Sequence, residues 1–221
     1  MKSFDWIYQH VSERENADLA FSRLPLVKSA DELRVISDDR YLSAICRRVF
    51  RAGLKHSLVD SKWPVFEQAF FGFDPRKLSY LSDEQLEAHM HNKALIRHWG
   101  KIKSIRANAL MVCELAETHG SFGQLIADWP CDDIIGLWAL LKKRGAQLGG
   151  QSAASFLRMV GKDSFRLSPD VVAALKAQDI VDKMPTSKRD LQLAQDAFNQ
   201  WQQQSGQPLS HISMLLSFTV G

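Results

Sequence analysis

Apolar residues recur at helical spacing along almost the whole chain of 221 residues, and strand-like alternation never extends beyond four residues. The clearest stripe follows a helix-start signal at Ser37 and is formed by Tyr41, Leu42, Ile45, Val49 and Phe50. Glycine or proline interrupts the pattern at intervals, as expected at helix ends. The sequence therefore predicts an all-α protein, a two-lobed helical domain of about ten helices.

The length predicts a single domain over residues 1–221, with one lobe at approximately 38–144 and a second formed by 1–37 together with 145–221. The hydrophobic fraction is 45%, which suffices for a core without disulfides. The three cysteines are far apart and form no pair at metal-ligand spacing, which argues against a disulfide framework or a cysteine zinc site. A secretory leader pattern and a long apolar run are both missing from the sequence, so we expect a cytoplasmic, nucleoid-associated protein, with no membrane partner.

The net charge of +3 is too small to indicate a partner by itself. Basic residues are nevertheless clustered, at Arg47 to Lys55, at Arg97 to Arg106 and at Lys142 to Arg144. Each cluster is compatible with a solvated helix face or with a surface that contacts nucleic acid. Charge alone leaves both interpretations open.

The last of these clusters leads into a glycine-bearing turn between two predicted helices. Glycines stand at Gly145, Gly149 and Gly150, and small residues begin the next helix at Ser152. Such a turn presents backbone N–H groups at a helix N-terminus, which is a ready site for phosphate. The alternative is a simple corner between two packed helices. The candidate phosphate-binding residues are Lys143, Arg144, Gly145, Leu148, Gly149, Gly150, Gln151 and Ser152.

Asp170 follows Gly150 by twenty positions, just inside a third helix that Ser168 and Pro169 open. A carboxylate at that place can complement the helix dipole and do nothing more. It can also perform acid–base chemistry on a molecule whose phosphate the glycine turn holds. The sequence pattern leaves both roles open, and we predict the chemical one.

Several short strings, in the same order along the chain, resemble the helix–hairpin–helix DNA glycosylase superfamily, and within it the DNA-3-methyladenine glycosylase I branch. The similarity covers about 38–161. The strings are Phe70-Phe71-Gly72-Phe73-Asp74-Pro75, Ile96-Arg97-His98-Trp99-Gly100-Lys101-Ile102, Asn108-Ala109, Gly120-Ser121-Phe122 and Leu141-Lys142-Lys143-Arg144-Gly145. The resemblance implies a helix–hairpin–helix motif that binds double-stranded DNA containing a damaged base. It is compatible with a monovalent cation at the hairpin, and we expect a monomer with no other cofactor.

The chain departs from that branch in two respects. Cysteines are missing before Cys46 and after Cys131, so the branch's zinc motif is not expected here. Base-pocket positions that carry glutamate and tryptophan in the branch correspond to Arg48 and His56, and Phe50 lies between them. A cationic methylated purine beside Arg48 would meet like-charge repulsion. This substitution argues against 3-methyladenine as the preferred substrate and leaves the lesion unidentified.

The wider superfamily has a catalytic aspartate at the spacing of Asp170, and its lyase members have a lysine where this chain has Ser152. Because a hydroxyl cannot form a Schiff base, the resemblance implies a monofunctional glycosylase that leaves an abasic site. One alternative is a non-catalytic helix–hairpin–helix protein that binds DNA or recognises lesions. Another is a helical interaction module with no role on DNA.

Overall fold

The computed structural model describes residues 1–220, and these form fourteen α-helices and no strand. The all-α prediction is confirmed. Among residues 1–220, every helix is too short or too polar to cross a bilayer. The helices are α1 (Phe4–Ser12), α2 (Ala17–Ser22), α3 (Ala30–Arg34), α4 (Asp38–Arg51), α5 (His56–Ala69), α6 (Pro75–Ser79), α7 (Asp83–Ala88), α8 (Trp99–His119), α9 (Phe122–Asp128), α10 (Ile134–Arg144), α11 (Ser152–Val160), α12 (Pro169–Ala177), α13 (Lys188–Ser205) and α14 (Leu209–Ser217).

Helix boundaries follow from capping side chains. The Ser82 hydroxyl oxygen accepts a hydrogen bond from the Gln85 backbone N–H, and the Gln85 side-chain oxygen accepts one from the Ser82 backbone N–H. This capping box starts α7. Ser168 accepts the Val171 N–H and Pro169 occupies the first position of α12. The excess over about ten helices comes from short elements such as α2 and α3, which are too brief to show a full apolar repeat.

Helix α4 lies at the centre of the protein and packs against α5, α8 and α11. Its buried face joins a group of rings that includes Phe50, Trp63 and Phe66, with Phe50 and Phe66 centroids 4.7 Å apart. Contacts of this kind add roughly 0.5–1.5 kcal/mol per pair to the burial of apolar area. The central position of α4 matters because it carries Arg48 and ends at the turn before His56.

The N-terminal segment packs on the C-terminal helices. The indole N–H of Trp201 in α13 donates to the Lys2 carbonyl oxygen at 2.9 Å, and the Phe4 N–H donates to the Gln204 side chain at 2.9 Å. Helix α1 also contacts α14, whereas α3 packs against α9. The two ends of the chain therefore form one packed region, and the division into two lobes stays a prediction.

Two buried lysines bind the C-terminal carbonyls of helices. Lys101 Nζ donates to the carbonyl oxygens of Phe50 at 3.1 Å and Ala52 at 2.5 Å, at the end of α4. Lys162 Nζ donates to those of Ala127 at 3.3 Å and Trp129 at 2.5 Å, at the end of α9. A cation at this end of a helix satisfies carbonyls that lack partners and complements the helix dipole.

Candidate functional site

The glycine turn predicted from the sequence connects α10 to α11, and a side chain on its first residue would overlap its neighbours. A Cβ atom on Gly145 would lie 2.6 Å from the Cδ1 of Leu148 and 2.9 Å from the Leu141 carbonyl oxygen. Leu148 is itself 1% exposed, so its side chain has no free space into which it could move. The turn is therefore anchored by a buried leucine packed against a glycine.

Side chains and backbone from α8 hold the turn from below. Asn108 accepts the Ala146 N–H at 2.8 Å and donates its amide to the Ala146 carbonyl at 3.2 Å. The Gln147 side-chain amide donates to the Gly100 carbonyl at 2.7 Å, while the Gln147 backbone has a φ of 60°. These three bonds fix the shape of the turn before any ligand arrives.

The second half of the turn presents unengaged backbone donors. Within residues 1–220, the N–H groups of Gly149, Gly150 and Gln151 donate to no protein acceptor, whereas the Ser152 N–H is bonded to the Gly149 carbonyl at 3.1 Å. Lys143 beside them is exposed. Free amides at a helix N-terminus beside exposed lysine make a site for an oxyanion such as phosphate.

Arg144 and Ser152 are less available than the sequence suggested. The Arg144 guanidinium forms an ion pair with Glu114 at 2.6 Å, although both side chains remain about half exposed (42% and 55%). Ser152 is 8% exposed and is buried at the start of α11. Arg144 must therefore exchange a carboxylate partner to bind phosphate, and the Ser152 side chain faces the protein interior.

Gln151 links the hairpin to the segment that carries Asp170. Its side-chain oxygen accepts the Leu167 backbone N–H at 3.1 Å, next to the Ser168 cap of α12. Asp170 is exposed in the first turn of α12, three residues beyond Leu167. Chain length alone keeps the Cα of Asp170 within about 11 Å of that of Leu167. Gln151 therefore connects the hairpin to the start of the helix that carries the predicted catalytic carboxylate.

A cavity of about 560 Å³ lies between the end of α4, helix α11 and the segment before α12. Four arginines dominate its wall. The full lining comprises Arg48, Arg51, Ala52, Gly53, Leu54, His56, Ser155, Arg158, Met159 and Arg166. The sequence placed Arg48 and His56 at a base pocket, and both line this cavity. Asp170 is not in its wall, although Arg166 precedes Asp170 by four residues.

The arginines raise the positive potential of the cavity and act on one another. Burial, then the charges of Arg166 and Arg51, lowers the pKa of Arg48. Burial and the Arg166 charge lower the pKa of Arg158 to about 10, against a partial opposing effect of Asp163. Burial also lowers the pKa of Arg166. Arg166 therefore lies close enough to Arg48 and to Arg158 for its charge to disfavour theirs.

Only part of this charge is neutralised by the protein. Asp60 of α5 binds Arg51 at 2.6 Å and Arg47 at 2.9 Å. Arg47 and Arg51 are four residues apart and share one face of α4, whereas Arg48 projects about 100° away from that of Arg47. Within residues 1–220, no hydrogen bond or ion pair is formed by the side chains of Arg48 or Arg166, and their Nε atoms are buried without a partner.

His56 and Phe50, the other two residues predicted for the base pocket, lie in different environments. His56 is exposed at the first position of α5, where Gly53 with a φ of 75° reverses the chain and brings it beside the cavity. Phe50 is fully buried and packs against Trp63 and Phe66. Phe50 therefore belongs to the hydrophobic core and does not contribute to the cavity wall.

The sequence did not indicate Arg158, Arg166 or Ser155 as site residues. A signal was present for Arg158, because it is the one charged residue of α11 and stands between the apolar Leu157 and Val160. Arg166 carried no comparable signal, since its segment is neither helix nor strand. Across residues 1–220, no group of three or more histidine, cysteine, aspartate or glutamate side chains could hold a metal ion.

The amino-acid sequence is similar to those of known DNA glycosylases. A family model described as methyladenine glycosylase matches residues 33–155, more than half of the 221 residues. A DNA-3-methyladenine glycosylase of Haemophilus influenzae is 32% identical over 82 residues, which is 37% of this chain and 44% of that protein. The matched segment thus spans less than half the length of this curated relative.

Solved structures show the same fold at low sequence identity. The 3-methyladenine DNA glycosylase I of Staphylococcus aureus is 17% identical, with a TM-score of 0.53 over 67% of this chain and 86% of that chain. The 8-oxoguanine glycosylase/lyase of Methanocaldococcus jannaschii, solved with a 15mer DNA containing 8-oxoguanine, is 15% identical, with a TM-score of 0.55 over 96% of this chain and 94% of that one. The Methanocaldococcus jannaschii structure therefore matches a larger share of this chain than the Staphylococcus aureus structure does.

Proposed function

Since the chain belongs to the methyladenine glycosylase family, we propose that it is a monofunctional DNA N-glycosylase of base-excision repair. It hydrolyses the N-glycosidic bond of a damaged base that has been turned out of the double helix. The observation that carries the proposal is the Gln151–Leu167 hydrogen bond, which joins a hairpin with free backbone donors to the helix start that carries Asp170. The substrate is double-stranded DNA containing a damaged base, and the protein acts as a monomer in the nucleoid.

The hairpin grips the DNA backbone. The free N–H groups of Gly149, Gly150 and Gln151 bind one phosphate, and the exposed Lys143 adds attraction that does not depend on base sequence. Carbonyl groups of the turn can share a monovalent cation with that phosphate. The affinity for DNA should fall as the salt concentration rises, because each phosphate contact releases counterions.

Asp170 acts on the nucleotide that the hairpin positions by binding the DNA backbone. As the bond between C1′ and the base nitrogen breaks, its electron pair leaves with the base and positive charge develops on the sugar. The Asp170 carboxylate stabilises that charge and takes a proton from the water that attacks C1′. The departing base takes a proton from solvent, Asp170 returns its proton to solvent, and the products are the free base and an abasic site.

Ser152 supports hydrolysis without strand cleavage. A lyase needs an amine that forms a Schiff base with the sugar carbon. Ser152 offers a hydroxyl and is buried. We therefore expect the abasic strand to remain intact until it is treated with alkali.

The test is base release from duplexes that carry a panel of lesions, with the wild type compared with Asp170→Asn. We expect release by the wild type and a loss of about a hundredfold or more in the variant, with duplex affinity retained. Asp5→Asn, which makes the same change in the first turn of α1, serves as a matched control and should keep full activity. Full activity of Asp170→Asn would refute the assignment of Asp170.

A second candidate function is that of a non-catalytic protein that binds DNA or recognises lesions. The observation in its favour is the cationic cavity wall around Arg48, which differs from a pocket built for a cationic methylated base. This alternative predicts salt-sensitive duplex or abasic-site binding without release of any base. Absence of duplex binding even at low salt would exclude both functions.

A further inference from the structure

We propose that the arginine-lined cavity is an oxyanion site, which binds a ligand that presents negatively charged oxygen atoms. Its cationic wall is built from three separate parts of the chain: Arg48 in α4, Arg158 in α11 and Arg166 before α12. Packing of α4 on α11 brings Arg48 and Arg158 together, and Arg166 lines the same cavity. The cavity volume of about 560 Å³ falls within the range of small-molecule sites.

Unpartnered donors are the first argument. The Nε atoms of Arg48, Arg158 and Arg166 are all buried and have no hydrogen-bond acceptor, and the buried Ser155 hydroxyl is also unpaired. Arg158 does have one partner, since its Nη2 donates to the Ser210 carbonyl oxygen at 2.5 Å. Leaving a buried donor on a charged group without an acceptor is costly in folding free energy. Arg48 and Arg166 therefore have guanidinium groups in the cavity wall without an acceptor among residues 1–220, and guanidinium groups match the oxygens of an anion well in geometry.

The distribution of carboxylates is the second argument. Asp60 is engaged by Arg47 and Arg51. Asp163, the acid that acts on Arg158, accepts the N–H groups of Leu209 and Ser210 at 2.9 and 2.8 Å. Within residues 1–220, no acid pairs with Arg48 or Arg166. The protein therefore leaves a net positive charge facing the cavity, and the complement of that charge is an anion.

The chemistry of the site fits two groups that DNA can supply, a phosphate or an oxopurine base that has lost a proton. Both offer anionic oxygen atoms. The positive charge of the cavity that favours them disfavours a cationic methylated base. The identification of DNA as the source depends on the proposed function, whereas the binding of an oxyanion does not.

Binding is tested by thermal unfolding and calorimetric titration of the full chain with inorganic phosphate, against chloride of equal ionic strength. We expect phosphate to stabilise the wild type, and Arg48→Met/Arg166→Met to lower phosphate affinity by about tenfold or more. Methionine keeps much of the apolar stem, so the fold should persist. Single Arg48→Gln and Arg166→Gln variants provide a second test if the double variant does not fold, and each should lose several-fold in affinity.

Arg23→Met/Arg189→Met is the matched control, because it also removes two charges but at exposed positions outside the cavity. It should retain wild-type phosphate affinity. The proposal would be overturned if the cavity variants bound phosphate as tightly as the wild type does. It would also be overturned if the control variant lost as much phosphate affinity as the cavity double variant.

Two duplexes distinguish the sources, one with a 5′-terminal phosphate and one with an internal xanthine base. The duplex whose affinity falls in Arg48→Met/Arg166→Met, relative to the unmodified duplex, identifies the source. An equal loss for all three duplexes would identify an internal backbone phosphate as the source, and a loss for none of them would refute DNA as the source. Failure of base release in the Asp170 experiment would leave the phosphate titration unchanged, so failure of the proposed function and failure of this inference give different results.

Discussion

The side-chain oxygen of Gln151 lies 3.1 Å from the backbone nitrogen of Leu167 and accepts its hydrogen bond. Gln151 is the last residue of the hairpin turn, and Leu167 is 1% exposed and immediately precedes the cap of α12. This side chain therefore joins the turn, with its free backbone amides, to the start of the helix that carries Asp170, which also packs against α14. Under the proposed function, the bond links the element that binds DNA to the element that carries the catalytic carboxylate.

Replacing Gln151 with leucine should separate DNA binding from base release. The Leu167 N–H would lose its acceptor in a buried place, at a cost of roughly 1–3 kcal/mol in stability. Base release should fall by at least about tenfold, because a displacement of Asp170 by even 1 Å misplaces the carboxylate. Duplex affinity should change much less, since the turn amides remain. Gln151→Glu keeps an acceptor oxygen and should restore stability in urea unfolding. Loss of affinity equal to the loss of rate would contradict the coupling.

The glycines of the turn should respond differently to alanine. A Cβ on Gly149 meets only Lys142 side-chain atoms at 4.0 Å, so Gly149→Ala should fold normally and reduce duplex affinity by obstructing a phosphate. Gly145→Ala should instead lose about 1–3 kcal/mol of stability through its overlap with Leu148 and the Leu141 carbonyl. Urea unfolding and fluorescence anisotropy on the same duplex measure the two effects. Unchanged affinity in Gly149→Ala would argue against phosphate binding at this turn.

Elements that are local in sequence could be predicted, and those formed by packing could not. The turn after Arg144 and the helix start at Ser168 follow from glycine, proline and serine at fixed offsets. The cavity depends on α4 meeting α11, which brings Arg48 beside residues more than a hundred positions away. Periodicity identifies buried faces without identifying which helix each face contacts.

The prediction of Phe50 as a pocket residue is wrong because it rested on closeness to Arg48 in the sequence alone. It is two residues from Arg48, and such residues lie about 200° apart around a helix. When Arg48 faces the cavity, Phe50 therefore faces the opposite side, where Trp63 and Phe66 cover it. Helical geometry could have separated the two residues before the structure was known.

Asp60 should control both acid stability and anion affinity. Although burial acts to raise its pKa, hydrogen bonds from Arg51 and Arg47 outweigh burial, and the folded pKa lies below the ordinary 3.8. The unfolded chain therefore binds the proton more tightly, so this contribution is present above pH 3.8 and is lost as the pH falls through the folded pKa. Asp60→Asn should remove that acid dependence.

The same variant releases Arg47 and Arg51 from their carboxylate. Phosphate affinity should then rise by roughly threefold or more at low salt. Paired measurements of unfolding against pH and of phosphate titration check both effects. A fall in phosphate affinity would show that Asp60 orients the arginines for the anion and would contradict simple charge neutralisation.

Lys162 should stabilise α9 at neutral pH while making stability depend on alkaline pH. Lys162→Met leaves the carbonyls of Ala127 and Trp129 without their donor, for an expected loss of about 1–3 kcal/mol. Burial lowers the folded pKa of Lys162 below 10.5, so the unfolded chain holds the proton more tightly. The wild-type unfolding free energy should therefore rise as the pH increases from that folded pKa towards 10.5, and Lys162→Met should lack this rise. Urea unfolding across this range, with the exposed Lys93→Met as control, measures both effects. An equal alkaline rise in Lys162→Met would mean that another group is responsible.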